Sequence, residues 1–211
     1  MTPFISVTGV AAPLPLDDID TDQIIPSAWL KHLDADLAQG CLAYMRRRPD
    51  GSRVEDFVLE RPAFRAAPIL VVGRNFGCGS SREHAVWALQ AFGVRCVVGQ
   101  RLAEFFVENA LRNGLLPVDL PAAALDRLMQ AAHRSDGREP FSVDLQACEI
   151  RGPGCLCLPF EIAASARQAL LQGLDDIGMT LQHLDLITAW ELLQEARDKD
   201  SGAVQPAAPT T

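Results

Sequence analysis

The stretch PILVVGRNFGCGSSREHAVWAL, residues 68–89, constrains this chain more than any other. Its apolar run Pro68-Ile69-Leu70-Val71-Val72 is short and reads as a buried strand. Gly73, Gly77 and Gly79 then allow a sharp turn and a close backbone approach. An apolar face at Ala85, Ala88, Leu89 and Phe92 comes next and stops at Gly93, which predicts a helix. Ser80 and Glu83 have the S-x-x-E spacing of a capping box, so this helix is expected to start at Ser80. A helix start carries unpaired N–H groups and the positive end of the dipole, both of which attract anions. Here that end also carries Ser80, Ser81 and Arg82. Arginine binds carboxylates in a planar, two-point fashion. The local chemistry therefore points to a carboxylate pocket with a hydroxyl aimed at its ligand.

Two familiar glycine motifs are excluded. No lysine follows the glycines, so this is not a phosphate loop of the GxxxxGK[ST] type. Gly79-Ser80-Ser81-Arg82 also lacks the G-x-S-x-G spacing of a nucleophile elbow. Many glycine-rich strand-to-helix turns are only architecture. The clustering of Ser, Ser, Arg, Glu and His is what favours a site.

The rest of the chain reads as an α/β fold. A strand over 94–98, a helix over 102–111 closed by Asn113-Gly114 and a strand over 115–118 continue the pattern. This β-α-β-α-β order predicts a parallel sheet with right-handed crossovers. A helix is expected over 122–133 and an alternating strand over 141–145. A hairpin is expected to turn at Gly152-Pro153-Gly154, and further helices to cover 163–171 and 184–196. Ahead of the glycine stretch, a β-like opening runs into a proline-rich turn at 12–15. An acidic turn comes after it at 17–22 and lacks the glycine and distant Glu of a calcium loop. Asp20 reads there as a turn or capping residue. Residues 27–54 are the least regular part, with a short helix over 27–33 and a turn signal at Pro49-Asp50-Gly51-Ser52. A strand is expected over 56–59.

Composition excludes several classes. The net charge is −8 and the only basic run is Arg46-Arg47-Arg48, which argues against a nucleic-acid partner. No stretch approaches a membrane span and no leader-like apolar segment opens the chain, so a cytoplasmic protein is expected. The six cysteines form no CxxC pair and read as free thiols rather than metal ligands.

GCGSSREHA, residues 77–85, resembles the signature of the swivelling domain in the aconitase superfamily. Three more blocks extend the likeness over about residues 4–196: DTDQIIP at 20–26, NGLLPV at 113–118 and GLDDIGMTL at 173–181. Together they are similar to the small-subunit family of the 3-isopropylmalate dehydratases. The resemblance implies a three-layer β/β/α swivelling domain over 1–196 with a mostly parallel central sheet; the Gly, Ala, Pro, Thr and charged composition of 197–211 predicts a disordered tail. It implies a hydro-lyase of leucine biosynthesis that interconverts 2- and 3-isopropylmalate and works only with a large subunit. That subunit would carry a [4Fe–4S] cluster, and this chain no metal. By motif position Ser80 would be the proton-abstracting base, Ser81 and Arg82 would hold a substrate carboxylate, and Asp20 would belong to the active site. The segment 27–54 would fold over the small dicarboxylate substrate. It departs from the family at Asp34-Ala35-Asp36-Leu37, where an expected arginine is missing; Arg46 or Arg47 is the candidate substitute. Arg101 stands where the family has a small polar residue. The altered loop keeps citraconate, dimethylmaleate or homoaconitate hydratases open as alternatives, alongside a non-catalytic carboxylate-binding module.

Overall fold

The computed structural model describes residues 1–31 and 35–200, the last three as backbone alone. The described chain divides into two compact units, at 1–174 and from 175 onward.

The first unit is built on two four-stranded sheets. Strands β1 (Ser6–Gly9) and β2 (Ala11–Leu14) open the chain. Strand β3 (Ile69–Arg74) is the apolar run before the glycines, and β4 (Cys96–Gln100) and β5 (Leu116–Asp119) come after it. The parallel sheet has the order β2-β3-β4-β5. Helix α4 (His84–Phe92) joins β3 to β4, and α5 (Glu104–Asn113) joins β4 to β5. The expected β-α-β-α-β unit is therefore present. The other sheet is antiparallel, in the order β1-β6-β7-β8. Its members are β6 (Phe141–Asp144) and the hairpin β7 (Glu149–Gly152) and β8 (Leu156–Pro159).

Alternation along the strands assigns each face of the parallel sheet to its own core, as the period of two requires. Leu70, Val72 and Val97 face one cluster, with Leu89 and Val86 of α4, Phe106 of α5, and Leu42, Leu59 and Phe64. Ile69, Val71, Cys96 and Val98 face the other. There they meet Leu125 and Leu128 of α6 (Ala122–Ser135), Leu170 of α7 (Ala164–Gln172), and Phe141, Val143 and Ile150 of the antiparallel sheet. Helices, parallel sheet and antiparallel sheet thus form the expected layers.

The excursion between β2 and β3 holds only short pieces. These are α1 (Thr21–Ile24), α2 (Leu37–Gly40), α3 (Ala43–Arg46) and 3₁₀ turns at Ser27–Leu30 and Val58–Glu60. Two expectations are corrected. The proline-rich segment at 12–15 is not a turn: Ala12, Pro13 and Leu14 belong to β2, an edge strand, where a missing N–H is tolerated. Residues 56–59 form no strand, because Glu60 turns inward to meet Arg46 and the chain tightens into the 3₁₀ turn. Of the short helix expected over 27–33, the 3₁₀ turn covers the beginning; residues 32–34, with Asp34 of the segment expected to fold over substrate, lie outside the described residues.

The second unit contains α8 (Asp176–Leu181), capped by the Asp175 carboxylate, which accepts from the Gly178 N–H at 2.7 Å, and α9 (Leu184–Asp200). Helix α9 runs past the expected end at 196, and residues 201–211 of the expected tail lie outside the described residues.

Candidate active site

The site is made by two loops leaving the carboxyl ends of neighbouring strands β2 and β3, the edge at which open α/β sheets bind ligands. These loops do not diverge. Gly73 N–H donates to Leu16 O at 3.2 Å, Asp18 N–H to Arg74 O at 2.8 Å, Gly77 N–H to Ile19 O at 2.7 Å and Thr21 N–H to Cys78 O at 2.9 Å. Asp20 and Cys78 form an isolated parallel bridge within this run. The pairing of β2 with β3 thus continues, strand-like, out to the serines.

Two glycines permit this approach. A Cβ on Gly73 would strike the Leu16 carbonyl, and one on Gly77, whose φ is +79°, would strike the Phe106 ring. Phe76 anchors the turn, buried edge-to-face against Phe106 at 5.2 Å.

At the end of the run, Thr21 meets Ser80. Thr21 Oγ1 accepts from the Ser80 N–H at 3.2 Å and lies 3.0 Å from Ser80 Oγ. Thr21 is 3% exposed, whereas Ser80 and Ser81 are exposed. Arg82 pairs with the Asp22 carboxylate, and its Nη1 also donates to Ile25 O at 3.3 Å. Its Nε and Nη2 donate to no group among the described residues. One edge of the guanidinium is therefore tied back, and the other has no partner among the described residues. Asp20 caps α1: its Oδ1 accepts from Gln23 N–H at 2.7 Å, and the Gln23 side chain returns the bond to Asp20 N–H at 2.9 Å. This is the capping role read from the sequence, and its carboxylate stands beside Thr21 at the head of the site.

The capping box expected at Ser80 is absent. Helix α4 begins at His84, with Glu83 at its cap position and no side-chain capping bond. Both halves of the box are engaged elsewhere. Ser80 is held by Thr21, and Glu83 Oε1 accepts from Asn113 Nδ2 at 2.6 Å. The helix dipole therefore lies beyond the serines rather than at them. Asn113 also accepts from Trp87 Nε1 at 2.9 Å, and Asn109 Nδ2 donates to Ser81 O at 3.1 Å. Helix α5 thus fixes the far side of the serine loop. His84 lies with its ring 4.6 Å from that of Trp87. Sequence reasoning passed over Thr21 and Asn113 as site-building residues, although each sits inside a motif it quoted.

The loop arginines are placed differently from expectation. Arg46 is enclosed rather than offered to a ligand: its side chain is 9% exposed, its Nε bonds Glu60 at 2.8 Å, and its Nη1 bonds Ala38 O and Cys41 O, each at 2.9 Å. Its guanidinium also lies over the Phe92 ring at 4.5 Å. A buried cation is stable only when paired, and these partners draw Arg46 into the core. Arg47 stays half-buried beside Arg53, with which it forms a short bridge. Arg101 has a φ of +50°, and its N–H donates to Asp119 Oδ1 at 2.6 Å. It lines a depression of about 700 Å³ with Gln100, Asp119 and Glu161, at the ends of β4 and β5.

Among the described residues no three His, Cys, Asp or Glu side chains gather as a metal site. No helix of the described residues is long and apolar enough to cross a membrane.

The layered sheets and the serine–arginine loop define the class: a swivelling domain of the aconitase type. The family model of the aconitase C-terminal domain matches residues 1–123. Among curated proteins, the chain is 49% identical over 192 residues to a 3-isopropylmalate dehydratase small subunit of Sinorhizobium fredii, covering 90% of this chain and 95% of that protein. It is 47% identical to the protein of the same name in Paramagnetospirillum magneticum, with the same coverage. Among solved structures it is similar to a 3-isopropylmalate dehydratase of Methanocaldococcus jannaschii, with a TM-score of 0.60 and 26% identity over 89% of this chain and 99% of that one. The chain belongs to the 3-isopropylmalate dehydratase small-subunit family.

Proposed function

We propose that this chain is the small subunit of a cytoplasmic 3-isopropylmalate dehydratase, a hydro-lyase of leucine biosynthesis, and that it supplies the proton-transfer half of a shared active site. The name carried by relatives that align over nearly their whole length supports the activity. The observation that carries the residue roles is the pairing of the two loops, which gathers Ser80, Ser81, Arg82 and Asp20 at one mouth.

In this reading Arg82 takes one substrate carboxylate on its free Nε–Nη2 edge while Asp22 holds the other side of the guanidinium. Ser81, exposed beside it, adds a hydroxyl. Ser80 Oγ removes the proton next to that carboxylate and returns it when the intermediate is rehydrated on the neighbouring carbon. Serine is a weak base unless its alkoxide is stabilised, and the Arg82 charge beside it favours that form in a closed site. A large-subunit partner bearing a [4Fe–4S] cluster supplies the Lewis acid for loss of the hydroxyl.

The test is Ser80→Ala in the complex reconstituted with the large subunit. Turnover of 2-isopropylmalate is expected to fall by about 10²–10⁴ with assembly intact, the range for loss of a general base. Undiminished turnover overturns the assignment.

A further inference from the structure

The hydroxyl of Thr21 has no role in the functional reading, yet it is the group in closest contact with Ser80 Oγ. It is buried, on the first residue of α1, and its only hydrogen bonds among the described residues are to Ser80: one from the backbone N–H and one to the side-chain oxygen. Asp20 caps α1 and Thr21 N–H bonds Cys78 O, so the backbone bearing this hydroxyl is held from both sides.

The proton inventory fixes the direction of the second bond once Ser80 is ionised. A hydroxyl has one proton to give and two lone pairs to receive. Thr21 Oγ1 receives the Ser80 N–H, and its own proton has Ser80 Oγ as its acceptor among the described residues. While Ser80 is neutral, either oxygen can donate. Once Ser80 has lost its proton, only Thr21 can. A hydrogen bond to the charged form of a group favours that form and lowers its pKa.

We infer that Thr21 is a positioning residue that locks the Ser80 rotamer and donates to its alkoxide. This rests on the reading of Ser80 as the base. Because Thr21 is buried behind Ser80, it acts through the serine and not on the substrate. The proton balance is simple. The substrate proton passes to Ser80 Oγ, the Thr21 proton stays on Thr21, and that bond becomes free to reverse its direction.

The experiment compares Thr21→Val, Thr21→Ala and Thr21→Ser in the reconstituted complex, each alone and Thr21→Val also with Ser80→Ala. Both hydroxyl-free variants are expected to lower kcat by roughly 10- to 100-fold, the range for a hydrogen bond to a charged group, with KM changed by less than about twofold. The acid limb of their rate–pH profiles moves to higher pH, since the serine becomes harder to deprotonate. Thr21→Ser, which keeps the hydroxyl, retains kcat to within about threefold. In the Ser80→Ala background Thr21→Val causes no further loss. Thr21→Ala adds no bulk, so it reports even if valine prevents assembly. Wild-type kcat in Thr21→Ala, an equal loss in Thr21→Ser, or an undiminished further loss on top of Ser80→Ala overturns the inference. If Ser80→Ala is inactive while Thr21→Ala runs at full rate, only the threonine role fails. If Ser80→Ala itself turns over normally, the base assignment fails, and the threonine role with it.

Discussion

The two arginines most open to a substrate role, Arg46 and Arg82, show how the same side chain is assigned by its surroundings. Arg82 is tethered on one edge by Asp22 and Ile25, and its other edge meets no partner among the described residues. Arg46 is enclosed by Glu60, two carbonyls and the Phe92 ring. Replacing Arg46 with Met leaves the Glu60 carboxylate, 3% exposed, with only the longer Arg53 contact at 3.5 Å. Breaking a buried pair in this way costs about 3–5 kcal/mol. Urea unfolding of Arg46→Met is expected to show that loss, while the KM of the assembled complex stays unchanged. A raised KM with stability intact would return Arg46 to the substrate. The cluster of hydroxyls and a guanidinium from Gly77 to Arg82 could be picked out from residue types alone, and the structure brings it against Thr21 and Asp22. The capping box read at Ser80 and Glu83 did not form, because the S-x-x-E spacing says nothing of competing partners. Thr21 lies 59 positions from Ser80 in sequence, and Asn113 lies 30 from Glu83.

Among the elements, those with a strong period were legible and those set by tertiary partners were not. Strands β3, β4 and β5 and helices α4 and α5 obey their apolar patterns and the glycines that end the helices. Strand β2 was hidden by Pro13 and Pro15, since composition does not reveal that a segment will lie at a sheet edge. The 3₁₀ turn at Val58–Glu60 was hidden because its cause, Arg46, is distant in sequence. The link between α5 and the serine loop has a measurable weight. Asn113 joins Glu83, Trp87 and the Asn109 carbonyl. Asn113→Leu is expected to destabilise the chain by about 1 kcal/mol, the net worth of hydrogen bonds between part-buried groups. It is also expected to lower turnover, because the Ser81–Glu83 segment loses its outer support. Denaturation and steady-state rates on one preparation would check both, and a variant of normal stability and rate would show the network to be idle.

For the molecule as a whole, every described member of the two apolar clusters lies at or before Leu171. The first unit therefore carries both cores. A chain ending at Leu174 is expected to unfold in a single cooperative transition, with its melting temperature within a few degrees of the full chain, as calorimetry would show. Loss of cooperativity would mean that the first unit depends on residues 175–211 for its stability. The layer order could be anticipated from the β-α-β-α-β pattern and the later hairpin, whereas the path of residues 15–68 could not, because it is held by single contacts rather than by any period. That path carries an evolutionary constraint of its own. Since the two loops are stitched rung by rung from Leu16 to Thr21, one codon gained or lost between those positions would shift the threonine out of step with its serine. Composition at Leu16 and Asp17 can drift, but the length of the span cannot, and a one-residue deletion there should abolish activity where conservative replacements at those two positions do not.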